Sequence, residues 1–200
     1  MQRRLITRLL GLSWLAPGLA RAQAVELSGV VFEPQIALAG KTLVLNGAAI
    51  RYKAVVQVYA VGLYLPGKMN SAKAVLESSG PRRVHDVMLR DVSGAELGKT
   101  FTKSFEQNAT REDLMASITQ IARLGEVFSA RKQLKSGESF TFDWIPGVGT
   151  VMSLSGQPVG EPFAGAGFFN GMLKLWIGEA DSAGVRDALL GTPRTRRNRE

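Results

Sequence analysis

Residues 49–65 are apolar or β-branched at most positions on both parities of an extended strand. Val56, Val58, Ala60 and Tyr64 fall on one side; Val55, Val61, Leu63 and Leu65 fall on the other. A strand apolar on both sides is covered on both sides, which predicts one long central strand rather than an edge. The dipeptide Asn46-Gly47 just before it supplies the positive φ values of a tight hairpin turn, so a turn is expected there. The polar exceptions, Arg51, Gln57 and Tyr59, share one parity. A guanidinium and a phenol on an apolar face are costly without a partner. Arg51 and Tyr59 are therefore the first candidates for ligand contact.

The remaining pattern alternates between strands and helices. Residues 27–32, 42–45 and 84–91 read as strands, and 71–79 as a short helix ended by Gly80-Pro81. Ser93-x-x-Glu96 and Thr110-x-x-Asp113 have capping-box form and open two helices. The first puts Leu97, Phe101, Phe105 and Asn108 near one face; the second carries a stripe of Leu114, Ile118, Ile121, Gly125 and Phe128 toward the core. Strands follow at 140–144 and 150–154, with turns at Pro146-Gly147 and at Gly156-Gln157-Pro158. A helix at 163–177 is apolar nearly all round, and a last one spans 181–190. Strands, helices, strands, helices: the class is α+β, a large antiparallel sheet backed by a layer of helices.

Charge and composition narrow the chemistry. Arg3, Arg4 and Arg8, a short apolar stretch at 9–20 and Ala22-Gln23-Ala24 have the form of a secretory signal peptide. The expected organisation is a signal peptide at 1–24, one domain at 25–192 and a basic tail at 193–200, with export to the periplasm and no transmembrane segment. Four of the 25 basic residues lie in the first 24 and none of the 17 acidic ones does, which leaves the remainder at +4. The tail RTRRNRE alone carries +3, so the high pI comes from the two ends and no nucleic-acid partner is implied. At most, the tail makes weak contact with anionic surfaces. With no cysteine and a single histidine, His85 in the strand VHDVMLRD, no metal site or nucleophilic triad is expected. His85 is expected to be a partly exposed strand residue.

Read together, LNGAAIR (45–51), VYAVGLYLP (58–66), FEQN (105–108), DWIPGVGT (143–150) and LKLWIG (173–178) resemble the chalcone isomerase fold family, in its bacterial exported, chalcone isomerase-like branch. The resemblance implies a large antiparallel sheet backed by helices, in an open-faced sandwich with an apolar cleft between the layers. It implies one of two activities: intramolecular ring closure of an enone by an isomerase, or binding of a fatty acid without turnover. In both, the residue at Arg51 meets a negatively charged group, an oxyanion or a carboxylate. Tyr59 stands where the plant enzyme has a threonine, and Asn108 matches its asparagine. Its tyrosine, lysine and second threonine fall on Phe101, Met88 and Leu175, all apolar here.

The expected function is thus binding of a fatty acid or similar hydrophobic carboxylate, without metal or organic cofactor. Arg51, with Tyr59 or Asn108, would hold the head group; Phe101, Met88, Phe168, Met172, Leu175 and Trp176 would lie along the chain. The alternatives are an intramolecular lyase acting on an enone or phenol, with Arg51 stabilising the oxyanion, and a non-catalytic interaction protein of the cell envelope. An ion pair of Arg51 with Asp86 or Asp143 is its structural alternative.

Overall fold

The long apolar segment folds back on itself. In the computed structural model, which describes residues 23–178 and 183–192, it forms the hairpin of β4 (Lys41–Lys53) and β5 (Val56–Leu65). Lys53 pairs with Val56 around a turn in which Ala54 takes a φ of 53°. Asn46-Gly47 is not the turn. It sits within β4 at a shift of register, where Leu45 pairs with Tyr64 and Gly47 with Leu63. Asn46 is the extra residue of this bulge. Its side-chain amide donates to the carbonyls of Met69 (2.8 Å) and Leu189 (2.6 Å), while its oxygen accepts from the Met69 amide (2.7 Å). Gly47 leaves room for the backbone of Leu189, which a Cβ would meet at 2.8 Å. The turns lie instead at Ser28-Gly29, Ala39-Gly40 and Ser155-Gly156, three pairs with both φ values positive.

These hairpins add strands that the periodicity did not separate. β1 (Val25–Leu27) and β2 (Val30–Phe32) form a hairpin of their own, and β3 (Gln35–Leu38) joins the edge of the main sheet. That sheet has seven antiparallel strands in the order β11-β10-β9-β6-β5-β4-β3, where β6 is Arg82–Met88, β9 Ser139–Ile145, β10 Gly149–Leu154 and β11 Gln157–Pro158. A short pair, β7 (Val92–Ser93) with β8 (Gln133–Leu134), lies outside it.

The sheet is covered on both faces, as the two-sided apolar pattern requires. The β1–β2 hairpin lies on one face, where Phe32, Leu43, Leu45, Ala60 and Tyr64 form a small core. Gly62 permits this approach, since a Cβ there would meet the Phe32 ring at 2.6 Å. Helices cover the other face: α1 (Ala72–Glu77), α2 (Gly94–Asn108), α3 (Arg111–Ser129), α4 (Ala166–Ile177) and α5 (Ala183–Leu189). The main core between sheet and helices is aromatic. Phe101 stacks on Phe128 at 5.1 Å and meets Phe140 edge-on at 5.7 Å, and α4 buries Phe168, Phe169, Met172 and Trp176. No described helix is long and apolar enough to cross a membrane.

Both N-caps form, with the Ser93 hydroxyl accepting from the Glu96 amide and that of Thr110 from the Asp113 amide, while the Glu96 carboxylate accepts from Lys53. The expected stripe on α3 is rotated. The buried line is Ser117, Ile121, Leu124 and Phe128, and Ile118 stands 58 % exposed. Phe128 seats edge-on against Phe140 of the sheet, and the 3.6-residue repeat back from it through Leu124 and Ile121 reaches Ser117 rather than Ile118. Residues 1–22 of the expected signal peptide and the basic tail at 193–200 lie outside the described residues.

Candidate functional site

The β4–β5 hairpin brings Arg51 and Tyr59 together as directly paired cross-strand neighbours. A second irregularity follows: Arg51 pairs with Tyr59 but Tyr52 with Gln57, so Val58 is an extra residue. Such a bulge turns two successive side chains toward the same side. Val58 and Tyr59 accordingly both line a cavity on the helix side, while Gln57 is turned away and accepts from the Ser28 hydroxyl at 3.1 Å. The shared parity of Arg51, Gln57 and Tyr59 thus holds for the first and last through the pairing of two strands, and fails for Gln57.

The cavity, of about 220 Å³, lies between the free end of this hairpin and the first half of α2. Arg51, Tyr59, Leu97, Phe101 and Leu175 line it, and Thr100 and Ser104 add hydroxyls from α2. At the rim Lys53 Nζ donates to Glu96 Oε1 at 2.7 Å, across an exposed pair that ties the hairpin to α2. This bond, with the Lys53 charge, holds the Glu96 carboxyl below its ordinary pKa. Water and salt screen so exposed a contact, so it positions the mouth without closing it.

Electrostatics beneath the floor are unusual. Tyr59 is buried and its pKa is raised, first by burial and then by nearby Asp86, while Arg51 and the Trp176 indole pull it down. Its hydroxyl therefore stays protonated at neutral pH and serves as a hydrogen-bond donor rather than a base. Asp86, one row deeper on β6, is fully buried, and neither carboxylate oxygen has a hydrogen-bond partner among the described residues. The indole N–H of Trp176 stands close enough to draw the Asp86 pKa down without reaching hydrogen-bonding geometry. Burial dominates and raises that pKa well above the carboxylate range, so the group is kept as a neutral acid.

Of the residues the sequence singled out, Arg51, Tyr59, Phe101 and Leu175 line this cavity, whereas Phe168, Met172 and Trp176 are buried in α4 without lining it. Met88 pairs with Tyr59 from β6 and packs in the core without lining the cavity. Asn108 is at the end of α2, where its amide donates to the Ser104 carbonyl at 2.8 Å and its oxygen crowds Gly178; it does not line the cavity either. Asp143 is taken by Arg83 through two bonds of 2.5 Å each on the opposite face, which removes it as an ion-pair partner for Arg51. His85 lies mostly buried beneath the β1–β2 hairpin, edge-on to Phe32 at 5.8 Å, its pKa lowered to about 4 by burial and then by Arg83. The sequence does not assign Leu97, Thr100 or Glu96 to a site, and Asp86 enters it only as an ion-pair partner for Arg51. For Asp86 the signal was present, since it falls between Val84 and Met88 on the same parity of the strand.

The sequence profile of the chalcone isomerase-like family matches residues 24–191. The chain belongs to the chalcone isomerase-like family. The structure of a fatty-acid-binding protein of Arabidopsis thaliana has the same fold, with a TM-score of 0.66 at 16 % identity over 85 % of this chain and 97 % of that one. No curated protein sequence matches the chain. In this chalcone isomerase-like protein the seven-stranded sheet and the helix layer are thus features of the fold, and the particular side chains at the mouth are features of this sequence.

Proposed function

We propose that this chalcone isomerase-like protein binds a fatty acid or similar hydrophobic carboxylate in the cavity between the β4–β5 hairpin and α2. One observation carries the reading: the same cavity has a guanidinium and a protonated phenol on one wall, and Leu97, Phe101 and Leu175 on the others. The planar Arg51 fork suits a carboxylate, and the Tyr59 hydroxyl supplies a further donor. The apolar walls suit the chain. The shared fold of the Arabidopsis fatty-acid-binding protein supports the same reading at the level of the fold. The cavity of about 220 Å³ is below the roughly 300–1,000 Å³ typical of drug-sized ligands. A medium-length acid is the best fit, and a longer one requires α2 to move away from the hairpin. The Ala22-Gln23-Ala24 pattern supports export, and we assign this binding to the periplasm.

A second reading has the same two donors stabilise the oxyanion that develops when an enone is attacked intramolecularly. Arg51 and Tyr59 side by side favour it. The raised pKa of Tyr59 limits that residue to donation, so the nucleophile would be a substrate phenolate ionised before binding, whose oxygen bonds to the enone carbon while the enolate so formed takes a proton from water.

Native mass spectrometry of the protein purified without added lipid, beside Arg51→Ala, tests the proposal. A co-purifying mass in the fatty-acid range that is lost in Arg51→Ala is the expected result. No adduct in either protein, and no shift in melting temperature with added decanoate, would contradict it. Turnover of a model enone, abolished in Arg51→Ala, would favour the lyase.

A further inference from the structure

The tip of the β4–β5 hairpin is apolar and unusually exposed. Val55 is 90 % exposed, Val56 45 % and Tyr52 49 %, with Ala54 between them. A turn of this kind ordinarily carries Asn, Asp or Gly, and solvent-facing valines gain nothing from water. The same strands carry Arg51 and Tyr59, so the tip and the cavity mouth are parts of one rigid hairpin.

The surroundings are basic. Lys53, Lys99 and Lys103 line a shallow concavity beside the tip together with Glu96, and Arg90 stands near enough to Glu96 to lower its pKa. Glu96 is already paired with Lys53, and Asp91, the other acid nearby, is occupied by Gln133 and the Ser136 amide. The body of the protein is near neutral overall, yet this side of it carries a positive excess.

An apolar protrusion ringed by lysines and an arginine fits one partner best. We propose that the β4–β5 tip inserts into the interface of an anionic lipid bilayer, with Lys53, Lys99, Lys103 and Arg90 against the headgroups. Tyr52 has the amphipathic ring that settles at headgroup depth, and basic side chains near such a surface are each worth about a fivefold gain in affinity. Docked this way, the mouth of the cavity faces the membrane, and a hydrophobic acid passes between bilayer and protein without crossing open water. This delivery rests on the hydrophobic-carboxylate reading above; the docking itself does not.

The test is flotation of the protein, in the form the cell accumulates, with vesicles of phosphatidylcholine containing about one-third phosphatidylglycerol, and with phosphatidylcholine alone. The wild type is expected to float with the anionic vesicles and to be released by high salt. Val55→Asp/Val56→Asp should bind about tenfold less or worse, and Lys99→Gln/Lys103→Gln several-fold less, with melting temperatures unchanged. Val55→Trp should shift its emission to the blue on anionic vesicles, a readout that does not depend on a loss of binding. The proposal is overturned by a wild type that stays unbound, or by a Val55→Asp/Val56→Asp variant that floats like the wild type while deletion of 194–200 abolishes flotation. A tip that drives dimers in sedimentation velocity, with no emission shift on vesicles, also overturns it and assigns the patch to self-association. Octanoate binding is measured on the same proteins in solution. Its retention in Val55→Asp/Val56→Asp separates failure of docking from failure of the cavity, since the reverse pattern, docking without octanoate binding, contradicts only the carboxylate reading.

Discussion

The two faces of the central sheet treat polar groups in opposite ways. On the face under the β1–β2 hairpin, Arg83 and Asp143 satisfy each other through a two-pronged bond, and His85 stays neutral against Phe32. On the helix face, Asp86 sits fully buried with neither oxygen hydrogen-bonded among the described residues, beneath Tyr59 and the cavity that Arg51 lines. Arg82, also on the helix face, shows that pairing is possible there: it donates to the carbonyl of Val75 (2.9 Å) and to Asn170 (3.0 Å) and lies over the Phe169 ring at 4.8 Å. Its pKa is nevertheless lowered to about 10 by burial. The closed face uses its polar groups for stability. The open face carries an unsatisfied acid next to the cavity, and such a cost is retained where a group serves something other than stability.

The sharpest way to break this comparison is to remove one carboxylate from each face. Asp143→Ala leaves the Arg83 guanidinium partly buried without its partner and should cost about 3–4 kcal/mol in urea unfolding at neutral pH. A loss below 1 kcal/mol would mean that the closed face does not depend on its ion pair. The histidine of the same face gives the next largest effect. With a folded pKa of about 4 against about 6.5 unfolded, only the unfolded chain binds a proton between those values, so stability should fall as pH drops through that window. The drop approaches about 3 kcal/mol by pH 4, and His85→Phe should flatten it.

Asp86 should behave in the opposite sense. Its folded pKa is raised, so the unfolded chain releases a proton that the folded one keeps, and stability declines as pH rises above the ordinary carboxylate range. Asp86→Val should abolish that decline and stabilise the protein by about 1–2 kcal/mol at neutral pH, the reverse of Asp143→Ala. Destabilisation instead would show that the carboxyl has a structural partner after all. Smallest in stability is Arg51→Ala, expected within about 1 kcal/mol of wild type, a value checked in the same unfolding experiment.

The chemistry of the fold was written plainly in some elements and ambiguously in others. The caps at Ser93 and Thr110, the all-round apolar α4 and the two-sided burial of β5 follow from side-chain type alone. The β4–β5 hairpin did not, because its turn at Ala54-Val55 has none of the usual turn residues, and Asn46-Gly47, which has them, is used for a bulge that α5 packs against. Arg51 and Tyr59 were legible as polar residues out of place on an apolar face. That they are cross-strand partners, and that Asn108 turns back onto its own helix, depends on strand register and tertiary contacts that periodicity does not carry.

The role assigned to Arg51 is settled by calorimetric titration of decanoate and of decanol into the wild type and Arg51→Ala. Decanoate should bind the wild type at least about tenfold more tightly than decanol, and that preference should vanish in Arg51→Ala while weak decanol binding persists. Equal affinity for the acid and the alcohol in the wild type, or a preference for the acid that survives the loss of Arg51, would contradict the assignment of this cavity to a hydrophobic carboxylate held by Arg51.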